Sequence, residues 1–267
     1  MIDPREDQAA GLRRLFRRAP PTVVALYATG RNKVCSTVQT AYRIAGQAER
    51  VLILDEASGG DTLAGVFDLP GGADLLSVLG GGVDPLELVQ PIPGLLGRVP
   101  VIAAALALPL LDDERRARLV AALRHIHRYA GFVLIHSTAA AAADPSPFIF
   151  AAPRRLVVAE ASRSGFKEAY QTIRQLAAAG AGSLHLAVAR ARSRSEAGAY
   201  FAGLNDLVRR QIGVPVAWLG EIERDDLGAG LANEAAEASP RGAEAAFLRR
   251  LQALSGASGA ARVRPVG

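Results

Sequence analysis

Six short apolar runs recur along the chain with almost no polar interruption. They are TVVALYA at Thr22–Ala28, VLILD at Val51–Asp55, GFVLIHS at Gly131–Ser137, RLVVA at Arg155–Ala159, SLHLAVA at Ser183–Ala189 and VAWL at Val216–Leu219. A strand with one wet face alternates apolar and polar residues. Continuous runs mark strands buried on both faces, the habit of parallel sheets covered by helices. A further strand is expected near Val99–Ala103. Between the runs, Thr37–Ala48, Asp112–Tyr129, Ser164–Ala179 and Ser193–Ile212 carry helical spacing, with Leu119, Leu123 and Ile126 on one stripe and Ser164 read as an N-cap. Strands alternating with helices predict right-handed βαβ units and an α/β three-layer sandwich with a mostly parallel sheet.

Composition supports a large core and narrows the function classes. Half of the 267 residues are hydrophobic but only 5% are aromatic, so the core must be aliphatic. One cysteine, Cys35, excludes a disulfide framework and a multi-cysteine zinc site. The longest apolar run, Val99–Leu111, is broken by Pro100 and Pro109 and falls short of the ~18 residues that span a bilayer. The charged start, Met1-Ile2-Asp3-Pro4-Arg5-Glu6, lacks the apolar core of a signal peptide. A cytoplasmic protein is expected, peripheral at the inner membrane at most. The net charge of +5 suits an acidic partner, a membrane surface or nucleic acid alike. With no zinc finger and no aromatic–basic RNA motif, a nucleic-acid partner is not expected.

Three segments are expected: residues 1–21, a helix and linker; 22–236, the α/β domain; and 237–267, an amphipathic helix and disordered tail. At the front, Asp3 can cap a helix over Asp3–Arg18, Pro4 suits its first turn, and Glu6 completes a capping box. Ala9, Leu12 and Phe16 form a narrow apolar stripe, and Gly11 costs about 1 kcal/mol relative to alanine. Arg17-Arg18-Ala19-Pro20-Pro21 then makes a stiff spacer. At the back, Phe247, Leu248, Leu251 and Leu254 share one face of Ala243–Leu254. That face meets either a membrane or its own domain, with the domain slightly favoured. His125 and His127 are read as solvated, and His185 as a core or edge residue.

The first strand runs into Thr29-Gly30-Arg31-Asn32-Lys33-Val34-Cys35-Ser36-Thr37, where an α/β fold places phosphate: strand, tight loop, helix N-terminus. A working phosphate loop needs glycines, so that backbone N–H groups can close round the phosphates, and a lysine to reach the outer oxygens. The stretch resembles the variant phosphate loop of the MinD/ParA ATPases, K-G-G-V-G-K-T, and so implies their P-loop NTPase-like fold. In that comparison Arg31 stands at the first lysine, Asn32, Lys33 and Cys35 at glycines, and Ser36 at the second lysine; Val34 and Thr37 match. Asp55 keeps the first position of the family's Asp-x-Asp pair, Ala57 replaces the second, and His136 stands where the fourth strand carries a metal-side aspartate. These departures imply a pseudo-ATPase with no catalytic residue and no metal ligand, binding ATP or ADP with magnesium weakly at best. The alternative is that Arg31 and Lys33 restore the lost charge and a nucleotide still binds.

Asp7-Gln8-Ala9-Ala10-Gly11-Leu12-Arg13, ahead of a MinD-like domain, resembles FlhG, the MinD-like family (also YlxH or FleN) that controls flagellar number and placement. Ala73–Val89, Ser193–Ala197 and Trp218–Asp225 are similar to it as well. The resemblance implies that the front helix docks on the signal-recognition-type GTPase FlhF and stimulates it. Asp7 would belong to the same partner-binding set, in which Ala9 and Leu12 would anchor the helix in a groove, Gln8 would order water or switch loops, and Arg13 would pair with an acidic or phosphate group. It also implies contacts with flagellar C-ring proteins and a homodimer, and weak or no membrane contact. Another reading is a structural adaptor of a different envelope assembly.

Overall fold

The computed structural model describes residues 20–46, 49–57, 62–138, 142–180, 183–237 and 240–254. The front segment, with Asp7, Gln8, Ala9, Leu12 and Arg13, and the tail from 255 lie outside the described residues.

All seven expected strands form: β1 Thr22–Thr29, β2 Val51–Asp55, β3 Gly97–Pro100, β4 Phe132–Ser137, β5 Arg154–Glu160, β6 Ser183–Ala189 and β7 Ala217–Glu221. They make one parallel sheet in the order β3-β2-β4-β1-β5-β6-β7. The burial of continuous apolar runs is the reason. β1, β2 and β4 are buried along almost their whole length, and successive residues feed two separate cores. Val23, Ala25 and Tyr27 point into one; Val24, Leu26 and Ala28 point into the other. Each fully buried Val, Leu or Ile contributes roughly 1.5–3 kcal/mol of transfer free energy, which is what holds these strands in the centre.

Helix α1 (Lys33–Ala45) and the short α2 (Leu63–Val66) cover one face together with α8 (Leu227–Glu237). The other face takes α3 (Ile102–Ala107), α4 (Asp113–His127), α5 (Pro147–Ala151), α6 (Arg163–Ala178), α7 (Arg194–Gln211) and α9 (Pro240–Ala253). The stripe of α9 is spent on this core: Phe247, Leu248 and Leu251 are buried, and Phe247 stacks on His127 at 6.0 Å. No helix among the described residues is long and apolar enough to cross a membrane.

Some local readings need correction. His127 is not solvated; it is fully buried under α9, with Nδ1 3.3 Å from Glu244 Oε1. The cap of α6 is Ser162, which accepts from Gly165 N at 3.0 Å, and not Ser164. Helix α1 begins four residues before the expected Thr37, and this shift reshapes the site.

Candidate functional site at the carboxyl end of β1

The chain leaves β1 toward β2 on one side and returns through β5 on the other, so the crevice above β1 is the topological switch point where α/β sheets bind ligands. Asn32, Lys33, Val34, Cys35 and Ser36 include no glycine, so nothing interrupts helix propagation back to Lys33. Asn32 O accepts the first helical bond from Ser36 N at 2.9 Å. The connection between β1 and α1 is therefore only Gly30, Arg31 and Asn32. Lys33, Val34, Cys35, Ser36 and Thr37 lie in the helix. Cys35 is exposed, while Ser36 and Thr37 are fully buried and their hydroxyls meet no partner among the described residues.

Two carboxylates close over the loop. Glu160 ends β5, the strand paired to β1, and its Oε2 accepts from Arg31 N at 3.1 Å, Asn32 N at 3.2 Å and Asn32 Nδ2 at 3.3 Å. Glu168 of α6 accepts from Gly30 N at 3.1 Å and pairs with Lys33 Nζ at 3.0 Å. A carboxylate at a helix start meets outward N–H groups and the positive end of the dipole, as a phosphate would. Gly30 is required beneath it: its φ is +96°, and a Cβ there would lie 2.6 Å from Glu160 Cβ.

Next to the loop, Asp55 is buried and fully engaged. Oδ1 meets His136 Nδ1 at 2.9 Å and Ala57 N at 3.1 Å, and Oδ2 takes Arg98 Nε at 2.6 Å. Asp55 and His136 face each other in register on paired strands, where a second aspartate would be repelled and an imidazole is bonded. Burial alone would raise the Asp55 pKa, but the hydrogen bonds and charges of His136 and Arg98 hold it below the usual carboxylate range. The Arg98 guanidinium also donates to Gln90 Oε1 at 2.6 Å. Glu56 behaves oppositely. Burial lifts its pKa from 4.5 to about 7, against hydrogen bonds from Ser146 and Ser137, and the Asp55 charge adds to the rise. Tyr27 is pushed up as well, first by burial and then by Glu56.

These residues do not fit a magnesium nucleotide. The loop N–H groups are aimed at Glu160 and Glu168, the position read as the outer lysine is Ser36 inside a helix, and the Asp55 oxygens are committed to Arg98 and His136. Among the described residues no group of three or more His, Cys, Asp or Glu side chains is arranged to hold a metal ion. The structure brings Gly30, Arg31, Asn32 and Lys33 together round the two glutamates, and sets Asp55 apart in its own buried pair. Glu160, Glu168, Arg98 and Glu56 were not among the residues singled out from sequence. One signal was available for Glu160: an apolar run that closes on a carboxylate next to the loop strand.

The all-parallel seven-stranded sheet with helices on both faces has the fold of MinD/ParA-type P-loop NTPases. A chain of the MinC:MinD cell division protein complex of Aquifex aeolicus superposes with a TM-score of 0.53 at 20% identity, over 92% of this chain and 98% of that one. MinD of the same organism gives 0.51 at 18% identity, over 86% and 95%. At these identities the likeness is one of fold. No protein-family model and no curated protein matches the sequence.

Proposed function

We propose that this MinD-type domain works by binding partners and not by hydrolysing ATP. Within that type, we read it as a FlhG-like regulator of flagellar biogenesis, whose residues 1–21 dock on an FlhF-like GTPase and stimulate it. The observation that carries the first part is the closure of the loop by Glu160 and Glu168. Donors that would stabilise charge on a transferring phosphoryl group already hold carboxylates, and Lys33, the lysine at the loop, is itself paired with Glu168. The second part rests on the motif Asp7-Gln8-Ala9-Ala10-Gly11-Leu12-Arg13. Ala9 and Leu12 suit a groove, and Gln8 and Arg13 suit the polar rim of a nucleotide site.

Titration calorimetry with MgATP and MgADP checks the first part, with no saturable heat expected. Tight metal-dependent binding, or brisk ATP turnover lost on Arg31→Ala, would instead support the alternative, a MinD/ParA-type ATPase with a variant loop. The second part is checked by GTP hydrolysis of an FlhF-like GTPase with and without the full chain. A rise of at least about tenfold, or roughly 1.4 kcal/mol off the barrier, is expected. Gln8→Ala should abolish it and Lys33→Ala should not. Equal stimulation by the Gln8→Ala chain would sink the docking reading.

A further inference from the structure

Beside the closed loop lies an open cleft of about 580 Å³, lined by Arg31, Glu160, Ser162, Arg163, Ser164 and Lys167. Three of these residues are cations, brought from the β1–α1 loop and from one turn of α6. All three are exposed, and among the described residues none of their charged groups makes an ion pair or hydrogen bond. Glu160 sets one negative charge against these three, its Oε2 turned to the loop N–H groups, so the cleft lining keeps a positive excess. Ser162 Oγ and Ser164 Oγ lie 3.2 Å apart, so one hydroxyl donates to the other and leaves a further O–H for the cleft. Converging like charges in a concave surface repel one another and raise the local potential until an anion enters.

A second cleft, about 330 Å³, adjoins the first through the shared Ser162 and Arg163. Its wall is largely apolar: Ala161, Phe166 and Tyr200, with Glu196 at the side. The Phe166 and Tyr200 rings meet edge to face at 5.4 Å, which fixes their planes. A cationic half thus opens onto an aromatic half.

We propose that the joined clefts bind a phosphate monoester that carries an apolar or aromatic body. The two guanidinium forks and the ammonium take the dianion, and the body lies on Phe166 and Tyr200. The site is separate from the loop donors that Glu160 and Glu168 occupy, so it stands whether or not the proposed function does. The monoester is either a free small molecule or the exposed head of a phosphatidic-acid-like lipid.

Calorimetry on the full chain at constant ionic strength, with phenyl phosphate and inorganic phosphate as probes, tests this. Phenyl phosphate should bind saturably and at least about tenfold more tightly than inorganic phosphate. The Arg163→Ala/Lys167→Ala chain should lose at least about tenfold in affinity while melting at the unchanged temperature, since both side chains are exposed. Co-sedimentation with phosphatidylcholine vesicles, with and without phosphatidic acid, separates the sources. Vesicle binding that needs phosphatidic acid and is lost in the double variant identifies the lipid head, and binding of the soluble probe alone identifies a free ester. Three results would overturn the proposal. They are no saturable binding in either format, equal affinity for the two phosphates, and binding that survives the double variant but is lost on Lys33→Ala.

Discussion

Asp55→Ala lowers the melting temperature by roughly 6–20 °C, measured at neutral pH. The change removes the carboxylate that Arg98 and His136 share and leaves the buried Arg98 side chain with Gln90 as its one remaining side-chain partner among the described residues. Breaking a buried pair from one side costs about 3–5 kcal/mol, chiefly because the remaining charge stays desolvated. In a domain of this size each 1 kcal/mol moves the melting point by roughly 2–4 °C. The diagnostic comparison is Asp55→Ala/Arg98→Met, which removes both charges and should recover most of the loss. An aspartate kept for a metal or a water would behave otherwise, since an active-site carboxylate freed of its ligand is costly to bury and cheap to remove. A single variant as stable as the parent would show that the pair contributes nothing. The pH dependence has a fixed sign. The folded pKa is depressed, so the stabilisation is present above the ordinary carboxylate value and fades as pH falls through the depressed one. The gap in melting temperature between the parent and Asp55→Ala should therefore narrow as pH falls through that value.

The architecture was legible because two-sided burial leaves a plain trace. VLILD and SLHLAVA became β2 and β6 with unchanged bounds, and the run near Val99 became β3, which starts two residues and ends three residues earlier than expected. Short elements left no such trace. The 3₁₀ turns at Leu75–Gly80 and Pro85–Leu88, and α3 and α5, are too brief to show a helical period, and they are held by caps such as Asp74 on Leu76 N. The site was legible as a place and not as an arrangement. Reading Gly30–Thr37 as a loop delayed the helix to Thr37, whereas the glycine-poor stretch simply coils from Lys33. His127 was misjudged for a related reason: its partners, Phe247 and Glu244, lie more than a hundred residues away, and only packing of α9 brings them over it. The loss of lysine and glycines could be read from one segment. What replaced the phosphate could not, because Glu160 and Glu168 come from another part of the chain and reach the loop only through the β1–β5 pairing.

Glu56→Gln should make the protein more stable at pH 8 and leave it nearly unchanged at pH 4. Burial holds the Glu56 pKa near 7 in the folded chain against 4.5 ordinarily, so the folded state favours the proton. The contribution of this group is then complete below pH 4.5 and lost as pH rises through 7. At about 1.4 kcal/mol for each tenfold in proton affinity, the loss across that window is about 3 kcal/mol. Glutamine carries no charge at any of these pH values and still offers a carbonyl oxygen to Ser146 and Ser137, the two hydroxyls that bond Glu56. Above pH 7 it should avoid that penalty and raise the melting temperature by roughly 6–12 °C. The two carboxylates at the end of β2 thus pull in opposite directions with pH, Asp55 steadying the fold once ionised and Glu56 weakening it. Melting curves of parent and variant from pH 4 to pH 9 give the decisive comparison. Curves that diverge between about pH 4.5 and 7 and keep a constant gap above follow from its burial, and no divergence anywhere in the range would mean that its carboxylate is already solvated in the folded chain.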